Sequence, residues 1–163
     1  MAKKGKQGGT PATLALDRAG VAHTLHAYDH DPRAHSYGLE AAEALGVDPA
    51  RIFKTLLASL DGELVVGIVP VSGRLDLKAL ARALGGSRAL MAEVAAAERA
   101  TGYVAGGISP IGQKRPHRTV LDASALDQPT ILVSAGRRGL DLEISPADLI
   151  AITGAITDRV GRD

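Results

Sequence analysis

The sequence predicts a mixed α/β domain: a barrel-like mixed β-sheet surrounded by helices. Three observations point there. Two apolar runs, 52–60 and 63–69, are joined by Asp61-Gly62 alone, and a two-residue Asp-Gly link favours a type I′ hairpin turn. Helix start and stop residues recur along the chain in matched pairs. Strand candidates outnumber the helices that could serve as βαβ crossovers, so a doubly wound parallel sheet fits less well than a curved mixed one.

The elements follow in order. Thr10 as N-cap with Pro11 at the first helical position opens a helix that carries Leu14, Leu16 and Ala19 and ends at Gly20. Residues 21–28 read as a strand, followed by the polar turn Asp29-His30-Asp31-Pro32. Residues 37–45 read as a helix stopped by Gly46, and Asp48-Pro49 starts a short turn. After the hairpin, Asp76 caps a helix over 77–84, stopped by Gly85-Gly86. An alanine-rich helix over 92–100 stops near Gly102, and 103–105 reads as a short strand running into Gly106-Gly107. Strands are expected at 119–122, 130–134 and 140–144, the last two paired through the loop 135–139. Ser145-Pro146-Ala147-Asp148 joins an N-cap, an N1 proline and an acid at N3, and opens the final helix.

Length and charge narrow the classes. With 163 residues the chain is one domain, 45% apolar and 23% charged, a balance that can bury a core without staples. It has no cysteine, which excludes disulfides, thiolate metal sites and a cysteine nucleophile. No run approaches the ~18 apolar residues of a membrane span, and the start Met1-Ala2-Lys3-Lys4 leads into no apolar stretch, so neither a membrane protein nor a secreted one is expected; the expected location is the cytoplasm. Residues 1–9 hold three lysines and no acid and read as a disordered basic tail; residues 10–163 form the single folded domain. Removing those three charges from the net +1 leaves −2 on the body, so nucleic acid could be met only through local clusters. Aromatics are 2% of the chain, too few for a base-stacking platform.

Four features could carry chemistry. Lys54 interrupts an apolar strand, either as an edge-strand gatekeeper or as a cation aimed into a pocket to hold a phosphate or a polarised carbonyl. Gly106-Gly107 after the predicted strand is either a tight turn or a place where backbone N–H groups approach a ligand; no Walker or GxSxG pattern surrounds it. The loop 112–118, with Lys114 and Arg115, is either a solvated face or an RNA-backbone contact. Ser134 and Asp141 flank a predicted turn, and Asp141 lies between Leu140 and Leu142, so it is either an exposed-face acid or a ligand group. The histidines His23, His26, His30, His35 and His117 show no metal-ligand spacing; no metal and no cofactor are expected.

Taken together, Tyr28-Asp29-His30-Asp31-Pro32, Ser36-Tyr37-Gly38-Leu39-Glu40, Phe53-Lys54-Thr55-Leu56, the stretch 75–85, Thr101-Gly102-Tyr103, the stretch 106–114 and the stretch 134–141 resemble, in order, the YbaK-type Cys-tRNA(Pro) deacylases, relatives of the editing domain of prolyl-tRNA synthetases. The resemblance implies that family's fold and an enzyme that hydrolyses mischarged Cys-tRNA(Pro) in trans, with the substrate's own thiol as attacker. It carries the family's functional positions onto Tyr28, Lys54, Thr55, Gly106, Ser134 and Asp141. On it, Lys54, Gly106, Gly107 and Asp141 are the candidate catalytic groups, and Tyr28, Thr55, Ser134, Lys114 and Arg115 the candidate substrate-binding ones. Aminoacyl-tRNA is the implied partner, and a complex with prolyl-tRNA synthetase is suggested. A deacylase for another charge, such as Ala-tRNA(Pro), and a non-catalytic tRNA- or small-molecule-binding module are the alternatives.

Overall fold

The computed structural model describes residues 9–34 and 36–163; the expected basic tail, apart from Gly9, and His35 lie outside them. Helix α1 (Pro11–Ala19) begins as its capping residues dictate: Thr10 and Thr13 form a reciprocal capping box, and Gly20 closes the helix at φ 67°. Strand β1 (Thr24–Ala27) follows, then α2 (Tyr37–Leu45), capped by the Ser36 hydroxyl and closed by Gly46. A 3₁₀ turn at Pro49–Arg51 leads into β2 (Phe53–Leu60) and β3 (Glu63–Pro70). Their link has φ 51° at Asp61 and 91° at Gly62, the two positive values a type I′ turn demands.

The remaining elements are β4 (Arg74–Leu75), α3 (Leu77–Ala83), β5 (Ala89–Met91), α4 (Val94–Thr101), β6 (Thr119–Asp122), β7 (Ile131–Arg137), β8 (Leu140–Ile144), α5 (Pro146–Thr153), β9 (Ile156–Asp158) and β10 (Gly161–Arg162). They form a five-stranded sheet, β5-β2-β3-β6-β9, a three-stranded sheet, β1-β8-β7, and the pair β10-β4. The larger sheet is mixed, because β3–β6 and β6–β9 run parallel while β2 is antiparallel to both its neighbours.

The two larger sheets touch at one parallel bridge between Ile52 and Leu132. That bridge lets them curve around a shared core of Phe53, Leu57, Ile68, Leu121, Val133 and Leu142, closed by Leu16 and Leu149 from α1 and α5. No ladder among the described residues joins β9 to β1, so the wall is barrel-like and open. A second core lies on the other face of β2 and β3, where Ala58, Val65 and Val69 pack against Leu80 of α3.

Some expectations change. Residues 103–105 are not a strand. The Tyr103 hydroxyl donates to the Ile111 carbonyl at 2.7 Å, and the Gly107 N–H donates to the Val104 carbonyl at 2.9 Å, folding the segment into a turn. The expected strand at 21–28 shrinks to β1, and the helix at 92–100 becomes α4, starting after Glu93. Strands β4, β5, β9 and β10 were not anticipated. All are two or three residues long, and Leu90, Met91 and Ile156 stand exposed, so none shows the alternation by which a half-buried strand is read. The C-terminal segment is fixed by Val160, buried in the second core, and by the Asp122 carboxylate, which accepts from the N–H groups of Val160 (2.9 Å) and Gly161 (2.7 Å).

Candidate functional site

A cleft of about 390 Å³ opens where the two larger sheets diverge below the Ile52–Leu132 bridge. Tyr28, Lys54, Thr55, Gly106, Ser134 and Asp141 all line it. Its floor and rim are apolar, with Phe53, Leu57, Ile108, Met91 and Val94 among the walls. The volume falls in the range of small-molecule sites, and a few polar groups in apolar walls are what such sites present.

Two charged groups here lack partners. Lys54 is half-buried in β2, opposite Val69 of β3, and no ion pair or hydrogen bond engages its ammonium among the described residues. Burial, and then the neighbouring Arg74 guanidinium, hold its pKa below the usual lysine value. Asp141 is 6% exposed, and no partner reaches its carboxylate among the described residues. Burial pushes its pKa up to about 7. A buried carboxylate without a partner costs stability, which marks this acid as a candidate for binding something absent from the fold.

The surrounding groups are ordered by the β7–β8 hairpin. Asp141 pairs directly with Ser134 across β7–β8 and with His26 across β1–β8, so the expected approach of Ser134 and Asp141 is met by the strand register. A bulge between Ser134 and Arg137 lets the Ser134 hydroxyl accept from the Gly136 N–H at 3.2 Å. Tyr28 follows β1, and its N–H donates to the Gly139 carbonyl at 2.9 Å. Burial, and then the negative Asp141, push the Tyr28 pKa to about 12, so its phenol stays a neutral donor at physiological pH. The Thr55 hydroxyl is buried in the cleft wall with no hydrogen-bond partner.

The two glycines separate. Gly106, at φ 84°, lines the cleft, and a Cβ there would lie 2.8 Å from the Tyr37 ring. Gly107 is buried away from the cleft lining, against the backbone of Arg137 and Arg138. Its N–H is engaged by the Val104 carbonyl at 2.9 Å. Of the two N–H groups expected to face a ligand, only that of Gly106 has no such bond. Lys114 and Arg115 are exposed on the loop 112–118 and do not line the cleft.

Tyr37, to which the sequence assigned no role, lines the cleft, and Arg138, expected only as a phosphate contact or a partner for Asp141, braces it from behind. Tyr37, the first residue of α2, lies over Gly106. The Arg138 guanidinium sits 5.0 Å from the Tyr37 ring centroid, and its Nε donates to the Ala105 carbonyl at 2.8 Å. Arg138 thus ties the glycine turn, the β7–β8 loop and α2 together. An aromatic at a helix start beside a distant arginine carries no local signal in a sequence.

The described histidines are held by separate partners, His23 by the Val21 carbonyl at 2.8 Å. His26 meets Glu143 and His30 meets Glu40, each at 2.8 Å, and His117 meets Gln113 at 2.7 Å. Among the described residues no three potential metal ligands cluster, and no helix is long and apolar enough to cross a membrane.

Against known proteins, the model of the aminoacyl-tRNA editing domain matches residues 31–152. The chain is 37% identical over 157 residues to the Enterococcus faecalis protein named "Putative Cys-tRNA(Pro)/Cys-tRNA(Cys) deacylase EbsC", covering 94% of this chain and 93% of that one. It is 29% identical over 111 residues to the uncharacterized protein YwhH of Bacillus subtilis, covering 68% and 70%. Among solved structures it resembles "a putative trans-editing enzyme for prolyl tRNA synthetase", with TM-score 0.83, 25% identity and 94% and 96% of the two chains covered. It resembles the hypothetical protein APE2540 equally, with TM-score 0.83, 25% identity and coverage of 93% and 99%.

Proposed function

The chain belongs to the aminoacyl-tRNA editing domain family, and from that premise we propose that it is a trans-acting deacylase that removes cysteine mischarged onto tRNA(Pro). The observation that supports this most is the pair of partnerless charges in one cleft, the Lys54 ammonium and the Asp141 carboxylate. An aminoacyl ester presents the complementary charges, an α-ammonium group at one end and the terminal phosphodiester at the other. Lys54 takes the phosphate or the ester oxygen, Asp141 the ammonium, and the Gly106 N–H the carbonyl oxygen. Tyr28, Thr55 and Ser134 shape the amino-acid end.

The sequence has no cysteine, and among the described residues no serine or threonine hydroxyl is hydrogen-bonded to a histidine ring; that of Ser134 accepts from the Gly136 N–H. The ester is itself activated, so positioning and charge stabilisation are what it needs. The substrate's cysteine sulfur attacks its own carbonyl; a C–S bond forms, the ester C–O bond breaks, and the thiol proton ends on the departing ribose oxygen. A cyclic thiolactone and free tRNA result. Deacylation assays on a panel of charged tRNAs test the proposal, with Cys-tRNA(Pro) expected to turn over fastest. A leading rate on Ala-tRNA(Pro) would favour attack by water, and no turnover on any charge would leave a binding module. Seryl ester on the same acceptor is expected to react at least about tenfold more slowly than cysteinyl, because a hydroxyl is the weaker nucleophile; equal rates would refute thiol assistance.

Binding of tRNA is expected to depend weakly on salt. The body beyond residue 9 is net acidic, so the groups to pair phosphates are local ones: Lys54 in the cleft, the exposed Lys114 and Arg115 of the loop 112–118, and the exposed Arg137 and Arg138. Each neutralised phosphate contributes about −0.9 to the slope of log K against log salt. A slope steeper than about −4.5, the value for five phosphates, would reveal a basic surface larger than these groups provide. An activity of this kind would place the protein in the cytoplasm, and co-purification with prolyl-tRNA synthetase tests the suggested complex.

A further inference from the structure

Six consecutive residues of β2 and its approach, Ile52 to Leu57, line the cleft. Side chains alternate across a strand, so a cleft bounded by six in a row reaches the strand's backbone edge. The pairing shows why that edge is open. The Val71 N–H donates to the Ile52 carbonyl at 2.8 Å on the β3 side, and the Ala92 N–H donates to the Leu57 carbonyl at 3.1 Å on the β5 side. Even-numbered residues of β2 therefore turn their backbone polar groups to β3, and odd-numbered ones to the opposite edge. On that edge β5 pairs only with Ala58, Ser59 and Leu60, and β7 meets only Ile52. Thr55 lies in the gap. Its N–H and C=O face the cleft with no partner from either neighbouring strand, and its buried hydroxyl has none either.

We propose that the open edge of β2 at Thr55 is the binding element for the α-aminoacyl group, which docks as a single added residue of sheet. One residue in an antiparallel hydrogen-bonded pair exchanges both an N–H and a C=O with its partner. An aminoacyl ester carries that same complement, an α-ammonium donor and one carbonyl acceptor. The Thr55 carbonyl accepts from the ammonium, which has two further protons, one of them for Asp141. The Thr55 N–H donates to the acyl oxygen and supplies the second donor that Gly107 does not, its N–H being engaged by Val104. Recognition of the class, any α-aminoacyl group, then belongs to the main chain, and discrimination among side chains to the cleft walls. Buried backbone groups are almost always paired, and this substrate completes a pair that the fold leaves unmade.

The inference rests on the proposed deacylase reading, and one experiment separates the two. The probe is adenosine with cysteine joined to its 3′ position through an amide in place of the ester, which the enzyme cannot cleave. Amide hydrogen exchange in the full chain is followed by NMR with and without it. Exchange at the Thr55 N–H is expected to slow at least tenfold, while Leu56, already bonded to β3, stays unchanged. Shifts at Gly106 with Thr55 exchange unaltered would overturn the strand-edge proposal and leave the deacylase reading standing. No perturbation anywhere in the cleft at saturating probe would overturn both.

Discussion

Lys54→Ala is expected to abolish measurable deacylation, a loss of about 10²–10³-fold or more, the scale on which removing one preorganised charge-stabilising group acts. The same variant is expected to melt no lower than the parent. In the folded protein the ammonium is half-buried, has no counter-ion among the described residues, and faces Arg74, a like charge, so its pKa is lowered. A lowered lysine pKa means that the fold disfavours the charged form, and deleting the charge relieves that cost. An edge-strand gatekeeper would behave otherwise, because removing it would promote aggregation and leave the chemistry alone. Lys54→Met keeps an unbranched apolar stem in the cleft lining and is expected to be as inactive as Lys54→Ala. Near-normal turnover in either folded variant would remove Lys54 from the site.

The parts of this molecule written in local patterns were legible before its structure. The Asp61-Gly62 hairpin, the Thr10, Ser145 and Asp76 caps and the glycine stops each involve residues within four positions of one another, and chain stereochemistry dictates them. The candidate residues Tyr28, Lys54, Thr55, Gly106, Ser134 and Asp141 were legible as a set through the order of their motifs, and they line one cleft. What stayed hidden depends on contacts between distant segments. The clasp of Arg138 on Tyr37 joins positions about a hundred residues apart. The open edge at Thr55 depends on where β5 stops pairing. The pairing of the Gly107 N–H with Val104 comes from a turn that resembled a strand because Tyr103 and Val104 are both good strand formers.

Asp141→Asn should weaken processing of Cys-tRNA(Pro) about ten- to a hundredfold, since an ionic hydrogen bond to the α-ammonium is worth roughly 1.5–3 kcal/mol and about 1.4 kcal/mol is a factor of ten. N-acetylated substrate lacks that cation and should be affected little. The pH dependence follows from the raised pKa, about 7 in the fold against 3.8 for an ordinary aspartate. Between those values the folded state holds a proton that the unfolded state has released, so stability falls as pH rises through that window. At about 1.36 kcal/mol per unit, the whole window amounts to roughly 4 kcal/mol. The asparagine variant lacks this slope; it should equal the parent near pH 4 and exceed it in melting temperature above pH 7. Catalysis runs the other way, because only the carboxylate holds the ammonium. Ionisation of the substrate thiol raises the rate with pH in both proteins, and the parent should show in addition a rise through about 7 that the variant lacks. The competing role, a structural pair with an arginine of the β7–β8 loop, predicts the reverse stability effect and equal losses on both substrates. The structure already turns Arg138 elsewhere, to the Ala105 carbonyl and the Tyr37 ring, and burial is the only cause of the shift at Asp141. Melting curves at pH 4 and pH 8, set beside rates on free and N-acetylated Cys-tRNA(Pro), decide the matter. A variant that melts lower at pH 8 and slows both substrates alike would make Asp141 a piece of the scaffold.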